Sequence, residues 1–338
     1  MIFRQLFDSA SSTYTYLLAS RVGGEALLLD PVLEKTDRYL KLLEELDLKL
    51  VKVVDTHVHA DHVTAMGALR DKTSCVTVMG EQSPVDVVSM RVSDGERVTI
   101  EGLSMTAMHT PGHTDDSYCF RMDDRVFTGD TLLIRGTGRT DFQNGDAGQQ
   151  YDSLFDGVLK LPESTLVYPA HDYKGDTVST IGEEKSSNPR LQVAGRAEYI
   201  ELMANLKLAN PKMMDVAVPE NMRMGLNIDR QCAVSTIDPE TIISENAEGM
   251  MLVDLREEGE RVKNGVIPGS VHAPYSQLDQ HLDMLCQSGG RDVVFYCAVG
   301  ERSTMAVNIA RERGVAGCAH IPGGFTAWTK AGGNIDRL

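Results

Sequence analysis

The sequence predicts an α/β protein of two domains, and three observations lead to this fold class. Its 338 residues are about twice the usual length of one domain. The first half alternates short β-like runs with Gly and Asp turns, and polar clusters repeatedly follow these runs. From about residue 235, apolar strand-like runs alternate with helical patterns, which is typical of a doubly wound parallel sheet. We therefore expect one domain over residues 1–230 and a second over 231–338.

The elements of the first domain follow from hydrophobic periodicity and turn residues. Two strands joined through Gly23 and Gly24 are predicted to form a hairpin, and Leu40, Leu43 and Leu46 indicate a helix. Strands are predicted at 13–20, 25–31, 52–56, 117–122, 125–128 and 166–168, and another ends at 108–109. The less regular residues 176–225, with a helix near 198–208, are predicted to complete this domain.

The second domain is predicted from two continuous apolar runs, at 250–255 and 293–296, which indicate buried parallel strands. A helical pattern follows each run, at 257–263 and 303–313.

Composition excludes several classes of protein. The chain is 42% hydrophobic and 24% charged, as globular proteins are, which argues against a disordered or fibrous chain. Its formal net charge of −16 would repel a phosphate backbone, so no nucleic acid partner is expected. No apolar run reaches the roughly 18–20 residues of a membrane span, and the first residues do not resemble a secretory signal. Six cysteines without a CxxC pair are typical of the reducing cytoplasm, where we expect the protein to act.

A cluster of metal-ligating side chains directly follows the strand at 52–56. It contains His57, His59, Asp61 and His62. In an extended loop, His57 and His59 would point to the same side and could face one ion, with Asp61 and His62 at the start of the next helix. Imidazole and carboxylate are the usual ligands of zinc and iron. The cluster therefore predicts a metal site.

Three further candidate ligands, His113, Asp130 and His171, each follow a predicted strand. Gly112 and Gly129 precede two of them and would let the backbone turn tightly beside an ion.

Two ligand sets are compatible with these residues. Two zinc ions would activate a water for hydrolysis, with Asp130 as the bridge between two three-residue sets. These sets would be His57, His59 and His113 for one ion and Asp61, His62 and His171 for the other. Alternatively, His57, His113 and Asp130 form a facial set that leaves three open positions on non-haem Fe(II) and suits O2 chemistry.

Together these residues resemble the metallo-β-lactamase superfamily over roughly residues 1–225, which implies an αββα sandwich with metals at one sheet edge. Longer stretches are similar to the persulfide dioxygenase (ethylmalonic encephalopathy protein) family, at 133–143, 170–175, 188–191 and 217–222.

This second resemblance implies one Fe(II) per chain, held by His57, His113 and Asp130. It also implies oxidation of glutathione persulfide by O2 and water to sulfite and glutathione. Other members of the cluster would surround the ligands or handle protons, namely His59, Asp61, His62 and His171.

By the same resemblance, Arg139 and Tyr173 would hold the glutathione part. The chemistry is compatible with this role, since a guanidinium group suits a carboxylate and a phenol can donate to one. Thr137 departs from the family, which often has Cys at that position.

Cys297 lies between a strand and a predicted helix start, where unpaired backbone N–H groups stabilise a thiolate. We therefore predict that Cys297 is a nucleophile. The other cysteines are predicted to be buried apolar side chains: Cys75, Cys119, Cys232, Cys286 and Cys318.

The CxxGxR loop from Cys297 to Arg302, including Gly300 and Glu301, resembles the active-site loop of rhodaneses, and the likeness spans about 235–338. It implies a doubly wound α/β sulfurtransferase domain in which Cys297 carries a persulfide sulfur. Ala298 departs from the basic or polar residue that many rhodaneses have.

An ion pair between Asp254 and Arg256 is predicted beside this loop.

Nearly the whole chain resembles bacterial persulfide dioxygenase–rhodanese fusion proteins. The resemblance implies a bacterial cytoplasmic enzyme that uses glutathione persulfide, glutathione, O2, and thiosulfate or sulfite, with a homodimer as the assembly that many relatives form. The rhodanese would either pass sulfur from thiosulfate to glutathione or join sulfite with persulfide to make thiosulfate. Two alternatives are a glyoxalase II-like dinuclear zinc hydrolase of glutathione thioesters with an accessory rhodanese, and a non-catalytic sulfur carrier or redox sensor.

Overall fold

The computed structural model describes residues 1–206, 208, 213–224, 234–244, 249–286, 291–315 and 317–338. These residues divide into two compact units. The first unit contains the described residues up to 224, except for two short segments, 74–76 and 86–90. Those segments are grouped with the described residues from 234 onward, which form the second unit. The predicted domain boundary between residues 230 and 231 lies outside the described residues.

The first unit contains two six-stranded sheets. The first sheet contains, in spatial order, β1 (Ile2–Asp8), β2 (Thr13–Ala19), β3 (Glu25–Leu29), β4 (Lys49–Val54), β5 (Val76–Gly80) and β6 (Met90–Val92). The second contains β12 (Ser179–Thr180), β11 (Leu166–Pro169), β10 (Arg125–Gly129), β9 (Tyr118–Arg121), β8 (Leu103–His109) and β7 (Arg97–Ile100). The predicted hairpin is confirmed, because β2 and β3 pair antiparallel with Tyr16 opposite Leu29.

The two sheets pack against each other through aromatic rings. Phe3 and Tyr16 come from the first sheet, and Phe127 and Tyr168 come from the second. The ring centroids of Tyr16 and Phe127 lie 5.0 Å apart, and those of Phe3 and Tyr168 lie 4.9 Å apart. Such contacts form the interior of a face-to-face sheet sandwich.

The helices of the first unit are α1 (Thr36–Glu45), α2 (Met66–Thr73), α3 (Ala147–Asp152), α4 (Ile181–Ser187), α5 (Arg196–Ala204) and α6 (Met214–Asn221). The predicted helix α1 is confirmed and buries Tyr39 and Leu43 on one face. Helix α5 buries Tyr199 and Met203, and it begins two residues before the predicted helix and ends at Ala204.

The prediction that Asp61 and His62 begin a helix is wrong, because α2 starts at Met66. The histidine-rich segment is instead an irregular loop that Asn221 of α6 holds. The Asn221 amide donates to the carbonyls of His59 and His62, each at 2.9 Å, and accepts from the Thr64 N–H at 2.8 Å. A side chain that is distant in sequence therefore satisfies the backbone groups that a helix would otherwise pair.

The second unit contains four parallel strands in the order β14-β13-β15-β16. They are β13 (Met250–Asp254), β14 (Val271–His272), β15 (Asp292–Tyr296) and β16 (Cys318–His320). Alternate residues of β15 enter two different hydrophobic clusters. Val293 and Phe295 pack with Ala306 on one side, and Val294 and Tyr296 pack with Trp328 on the other. A sheet covered on both faces is the predicted doubly wound arrangement.

The helices of the second unit are α7 (Pro239–Ser244), α8 (Glu258–Asn264), α9 (Leu278–Cys286), α10 (Glu301–Glu312) and α11 (Gly324–Lys330). Across the described part of the chain, no helix combines the length and the apolar surface that crossing a membrane requires.

The cysteine predictions are confirmed at three positions and wrong at one. Cys75, Cys119 and Cys318 are buried, as expected for small apolar side chains. Cys286 is exposed, because it occupies the last turn of α9. Cys232 lies outside the described residues.

We expect Gly112→Ala to destabilise the first unit. Gly112 has φ +140°, and an added Cβ would lie 2.3 Å from the backbone Cα of Gln150. The combined backbone strain and overlap should lower the free energy of unfolding by about 2–4 kcal/mol, measured by urea denaturation. Gly157→Ala is the control, since its Cβ would meet no atom within 4 Å. Equal stability of the two variants would contradict the close approach of residues 112 and 150.

Candidate functional site

Two imidazoles and one carboxylate converge at the end of the first unit's strands. One ligand atom each from His57, His113 and Asp130 lies within 4.8 Å of the other two. The Nδ1 of His57 lies 3.0 Å from Thr56 Oγ1, and the Nδ1 of His113 donates to the Arg139 carbonyl at 2.7 Å. Each ring therefore has its Nε2 available for another partner. The donor set fits a metal ion that prefers nitrogen and carboxylate ligands.

Close backbone approach holds this group together. The predicted tight turns are confirmed, because Gly112 and Gly129 have φ values of +140° and +52°. A Cβ on Gly129 would lie 2.8 Å from the hydroxyl of Thr56, the residue that contacts His57. The N–H of Gly138 donates to the Asp130 carbonyl at 2.7 Å. Glycines at these positions therefore let three separate loops meet.

A second cluster consists of His59, Asp61 and His62, whose ligand atoms also lie within 4.8 Å of one another. His59 is therefore grouped with Asp61 and His62 of the same loop rather than with His57 and His113. The Nε2 atom of His59 lies 3.1 Å from Asp30 Oδ1. His59 Nδ1 and His62 Nε2 are buried and have no hydrogen-bond partner among the described residues. Orphaned ring nitrogens of this kind are candidates for binding a proton donor or an ion.

His171 joins the two clusters. Its Nδ1 lies 2.7 Å from Asp130 Oδ1, and its Nε2 lies 2.7 Å from Asp61 Oδ2. Burial alone would lower the pKa of His171, but the two carboxylates outweigh it and raise the pKa well above its ordinary value. Burial would raise the pKa of Asp130, and the nearby His171 charge instead holds it far below its usual range. Both ring nitrogens of His171 therefore face a carboxylate oxygen, an arrangement that favours the protonated ring.

The imidazole of His57 has the opposite character. Burial, together with the nearby rings of His59 and His113, lowers the pKa of His57 well below its ordinary value. A neutral ring keeps the lone pair that a metal ligand needs.

A cavity of about 920 Å³ lies over these groups. It is lined by His57, His113 and Asp130, by Asp61 and His62 of the second cluster, and by His171. Its walls carry five basic side chains, namely Lys35, Arg135, Arg139, Lys174 and Arg190, and three further acidic ones, namely Asp8, Glu34 and Asp172. This volume is typical of small-molecule sites. Three of the basic side chains are paired with carboxylates, Lys35 with Asp8, Arg135 with Glu184 and Arg139 with Asp141. The cavity therefore offers cationic donors to an anionic ligand without a net positive lining.

Both predicted substrate-binding residues line this cavity. The Arg139 guanidinium donates to Asp141 Oδ1 and Oδ2, at 2.6 and 2.8 Å, and lies 4.1 Å from the centre of the Phe142 ring. Tyr173 is 70% exposed, and its ring lies parallel to the His171 ring at a centroid distance of 6.1 Å. Arg139 is therefore held in a fixed orientation, whereas Tyr173 stands at the cavity surface.

Arg190 lies in the stretch 188–191 that carries the family resemblance, although the sequence assigns it no individual role. It approaches the cavity wall from a loop 53 residues downstream of Thr137. Its guanidinium donates to the Thr137 hydroxyl at 3.2 Å, and the Tyr199 hydroxyl donates to the same oxygen at 3.3 Å. No local pattern marks such a contact. Thr137, the departure from the family, is thus a buried hydrogen-bonding part of the wall.

The second unit places Cys297 where the sequence predicts it, at the end of β15 and before α10. The side chain is buried, and the Gly300 N–H points to its sulfur, with an N···Sγ distance of 3.1 Å. Gly300 has φ +98°, and Glu301 begins the helix. A Cβ on Gly324 would lie 2.3 Å from the Cys297 carbonyl, so the loop also needs a glycine across from it.

Two buried arginines near this loop are each paired with a carboxylate. Arg302 forms a bidentate pair with Glu260, at 2.8 and 2.7 Å. Burial opposes the charge of Arg302, but Glu260 raises its pKa above the ordinary value. The predicted ion pair of Arg256 with Asp254 is confirmed, at 2.9 and 2.7 Å. The cationic side chains are therefore fixed by carboxylates.

Comparisons with known proteins match a different family model to each of the two units. A model of the metallo-β-lactamase superfamily matches residues 9–84 and 79–171, and a rhodanese-like domain model matches residues 240–331. Persulfide dioxygenase ETHE1, mitochondrial, of Mus musculus is 44% identical over 229 residues, which are 67% of this chain and 89% of that protein. The chain belongs to the persulfide dioxygenase family. The rhodanese-like domain makes this member of the family a fusion protein.

Solved structures support the same assignment. ETHE1 from Myxococcus xanthus has a TM-score of 0.65 and 54% identity, and the match covers 67% of this chain and all of that one. A metallo-β-lactamase from Staphylococcus aureus has a TM-score of 0.62 at 19% identity, and covers 95% of this chain and 98% of its own. The second likeness shows the fold alone.

We expect Glu260→Ala to lower the stability of the second unit by about 3–5 kcal/mol, because it leaves the Arg302 charge buried and unpaired. Thermal or urea unfolding measures this change. The control is Glu258→Ala, because Glu258 is 63% exposed, and removing its pair with Arg261 should cost about 1 kcal/mol or less. Similar losses in both variants would show that the buried pair does not support the loop.

Proposed function

We propose that this persulfide dioxygenase family member oxidises glutathione persulfide in its first unit and carries sulfane sulfur on Cys297 in its second. The observation that carries the proposal is the convergence of His57, His113 and Asp130 within 4.8 Å under a cavity whose walls include five basic side chains. The 44% identity to a persulfide dioxygenase supports the same chemistry. The cysteine usage of the sequence leads us to place this activity in the cytoplasm.

We assign one Fe(II) per chain to His57, His113 and Asp130. Fe(II) bound there would supply a redox-active centre at which a sulfur anion gives electrons to O2. The protein side chains prepare the site beforehand. The Arg139 carbonyl fixes the tautomer of His113, and His171 donates to Asp130 Oδ1, which leaves Oδ2 turned towards His113 at 3.5 Å from its Nε2.

The proposed reaction converts glutathione persulfide, O2 and one water into glutathione, sulfite and two protons. The outer sulfur loses four electrons, and O2 accepts them. The released protons need acceptors close to the site. Asp61, His59, His62 and His171 form the polar surroundings to which we assign this proton handling.

The glutathione part would lie in the cavity with its carboxylates on cationic side chains. We assign Arg139 and Tyr173 to this role. Asp141 and Phe142 hold the Arg139 guanidinium in one plane, so a substrate carboxylate meets a preoriented donor. Tyr173 stands at the exposed edge of the cavity, where its phenol can donate to a second acceptor.

In the second unit, the Cys297 thiolate would attack the outer sulfur of thiosulfate. A bond forms between the two sulfurs, the sulfur–sulfur bond of thiosulfate breaks, and sulfite leaves with the electron pair. Glutathione then takes the persulfide sulfur and regenerates Cys297. Gly300 donates to the sulfur, and Glu301 and Arg302 add charge beside the loop. The reverse use, which joins sulfite with persulfide, needs the same groups.

A second candidate is a dinuclear zinc hydrolase of glutathione thioesters, like glyoxalase II. The observation that favours it is the cluster of His59, Asp61 and His62, in which two ring nitrogens are buried without a hydrogen-bond partner among the described residues. Such a cluster could hold a second ion beside the first.

Metal content and O2 uptake separate the two candidates. We expect about one iron per chain after anaerobic loading, and O2 consumption with glutathione persulfide. His113→Ala should lose both the iron and the O2 uptake, because only two of the three proposed ligands remain. The control is His62→Ala, which should keep its iron, because His62 lies in the other cluster. Two zinc ions per chain, thioester cleavage and no O2 uptake would favour the hydrolase.

The two activities should be separable by mutation. Cys297→Ser should abolish sulfur transfer from thiosulfate to glutathione, because an alcohol cannot carry the persulfide, and should leave O2 uptake unchanged. Cys286→Ser is the matched control, and both activities should survive it because that thiol lies on an exposed helix end. Sulfur transfer that persists in Cys297→Ser would assign the carrier to another group.

A further inference from the structure

Next to the Cys297 loop, three side chains are connected by two hydrogen-bond contacts. The Cys297 sulfur lies 3.8 Å from the Ser303 hydroxyl oxygen, and that oxygen lies 3.1 Å from His320 Nδ1. The residues come from the end of β15, from α10 and from β16. All three are buried, and His320 is the most accessible at 6%. A thiol that contacts a hydroxyl, which in turn contacts an imidazole, has the components of a nucleophile activated by a general base.

Two acceptors lie within hydrogen-bond distance of the Ser303 hydroxyl, His320 Nδ1 and the nearby Gly300 carbonyl. Ser303 Oγ also lies 3.0 Å from the Gly300 carbonyl. That carbonyl already accepts from the Thr304 N–H at 3.1 Å and from the Thr304 hydroxyl at 2.8 Å. Two donors satisfy the two lone pairs of a carbonyl oxygen. The Ser303 hydroxyl can therefore donate to the imidazole and accept from the Cys297 thiol.

The surroundings of His320 favour the tautomer with its proton on Nε2, in which Nδ1 can accept the Ser303 proton. Burial lowers the pKa of His320, so the ring is neutral at rest and carries one proton. Its Nε2 lies 3.5 Å from Thr304 Oγ1, whose own proton points to Gly300, so this oxygen can only accept. The ring proton then belongs on Nε2. The lone pair of Nδ1 faces Ser303.

We propose that Ser303 and His320 form a proton relay that converts the Cys297 thiol into the reactive thiolate. The thiol proton passes to Ser303 Oγ while the Ser303 proton passes to His320 Nδ1, so the products are a thiolate and an imidazolium. Only bonds to protons form and break. The Gly300 N–H, with its nitrogen 3.1 Å from the sulfur, stabilises the resulting anion. The inference rests on the proposed role of Cys297 as the sulfur carrier.

The other charged groups around the loop do not replace this base. Arg302 is protonated and paired with Glu260, so it adds positive charge near the sulfur and accepts no proton. Glu301 begins α10 and adds a negative charge beside Arg302. On the strand side, the His320 backbone N–H donates to the Ser235 carbonyl, which carries no charge. The relay therefore ends at the imidazole.

The decisive variant is His320→Asn, which can accept a hydrogen bond from Ser303 but cannot take the proton. The test follows alkylation of Cys297 by iodoacetamide, read on its own peptide by mass spectrometry, across the pH range. We expect the variant to react about 10²-fold more slowly than the natural protein near neutral pH. The two rates should converge at alkaline pH, where the thiol ionises without help. An unchanged rate at neutral pH, or an equal deficit at every pH, would overturn the relay.

Ser303→Ala interrupts the relay at its centre and should produce the same pH-dependent loss. The double variant should lose no more than either single variant, because both remove one pathway. Additive losses would contradict the proposal. Ser244→Ala is the control for a lost hydroxyl in the same unit, since Ser244 lies at an exposed helix end, where it donates to the Thr241 carbonyl at 2.9 Å.

A measurement on the natural protein covers the case in which the variants unfold. Nitrogen NMR of the labelled His320 ring should show a proton gained at Nδ1 as Cys297 ionises, and no such gain after Cys297 is alkylated. A ring that stays neutral throughout would overturn the relay. Alkylation and NMR need no thiosulfate. Absence of sulfur transfer in the natural protein would therefore disprove the carrier function and leave the relay separately tested.

Discussion

The bridge from His171 to Asp61 and Asp130 is the interaction on which the first unit's site depends. Asp61 and Asp130 are partly buried, and a carboxylate that loses water without gaining a partner is destabilised, so the ring that pairs with both offsets this cost. The same ring joins the loops that follow β4, β10 and β11. Because His171 contacts Oδ1 of Asp130, it is the Oδ2 atom that faces His113. The arrangement of the proposed iron ligands thus follows from a charge balance among their neighbours.

The second unit meets the same constraint with arginines. Arg302 and Arg256 are each paired bidentately with a carboxylate, Glu260 and Asp254 respectively. Their positive charge is therefore fixed in place, and the Gly300 N–H points directly to the Cys297 sulfur. A small sulfur anion is stabilised best by such preoriented dipoles, because they need no reorganisation when the charge appears.

Both units, on the proposed function, handle a sulfur atom that is bonded to another sulfur. The family likeness covers 67% of the chain, and the rhodanese-like domain lies in the remainder. Covalent linkage raises the effective concentration of each site's product for the other site, whichever direction the sulfur moves. This is a sufficient physical reason for one chain to combine an oxidising site with a sulfur carrier.

The sequence by itself determined the fold class, the main strands and the segments that carry chemistry, because periodicity and motifs are local properties. It missed several strands, namely β1, β5, β6, β7, β12, β14 and β16. In β1 the alternation is interrupted by Arg4 and Gln5 on a partly exposed edge strand. Only the tertiary structure decided which groups pair, such as Asn221 with the histidine loop, Arg190 with Thr137 and His320 with Ser303. These partners lie 17 to 162 residues apart in sequence, and buried polar groups select partners by distance in space, which only the folded chain sets.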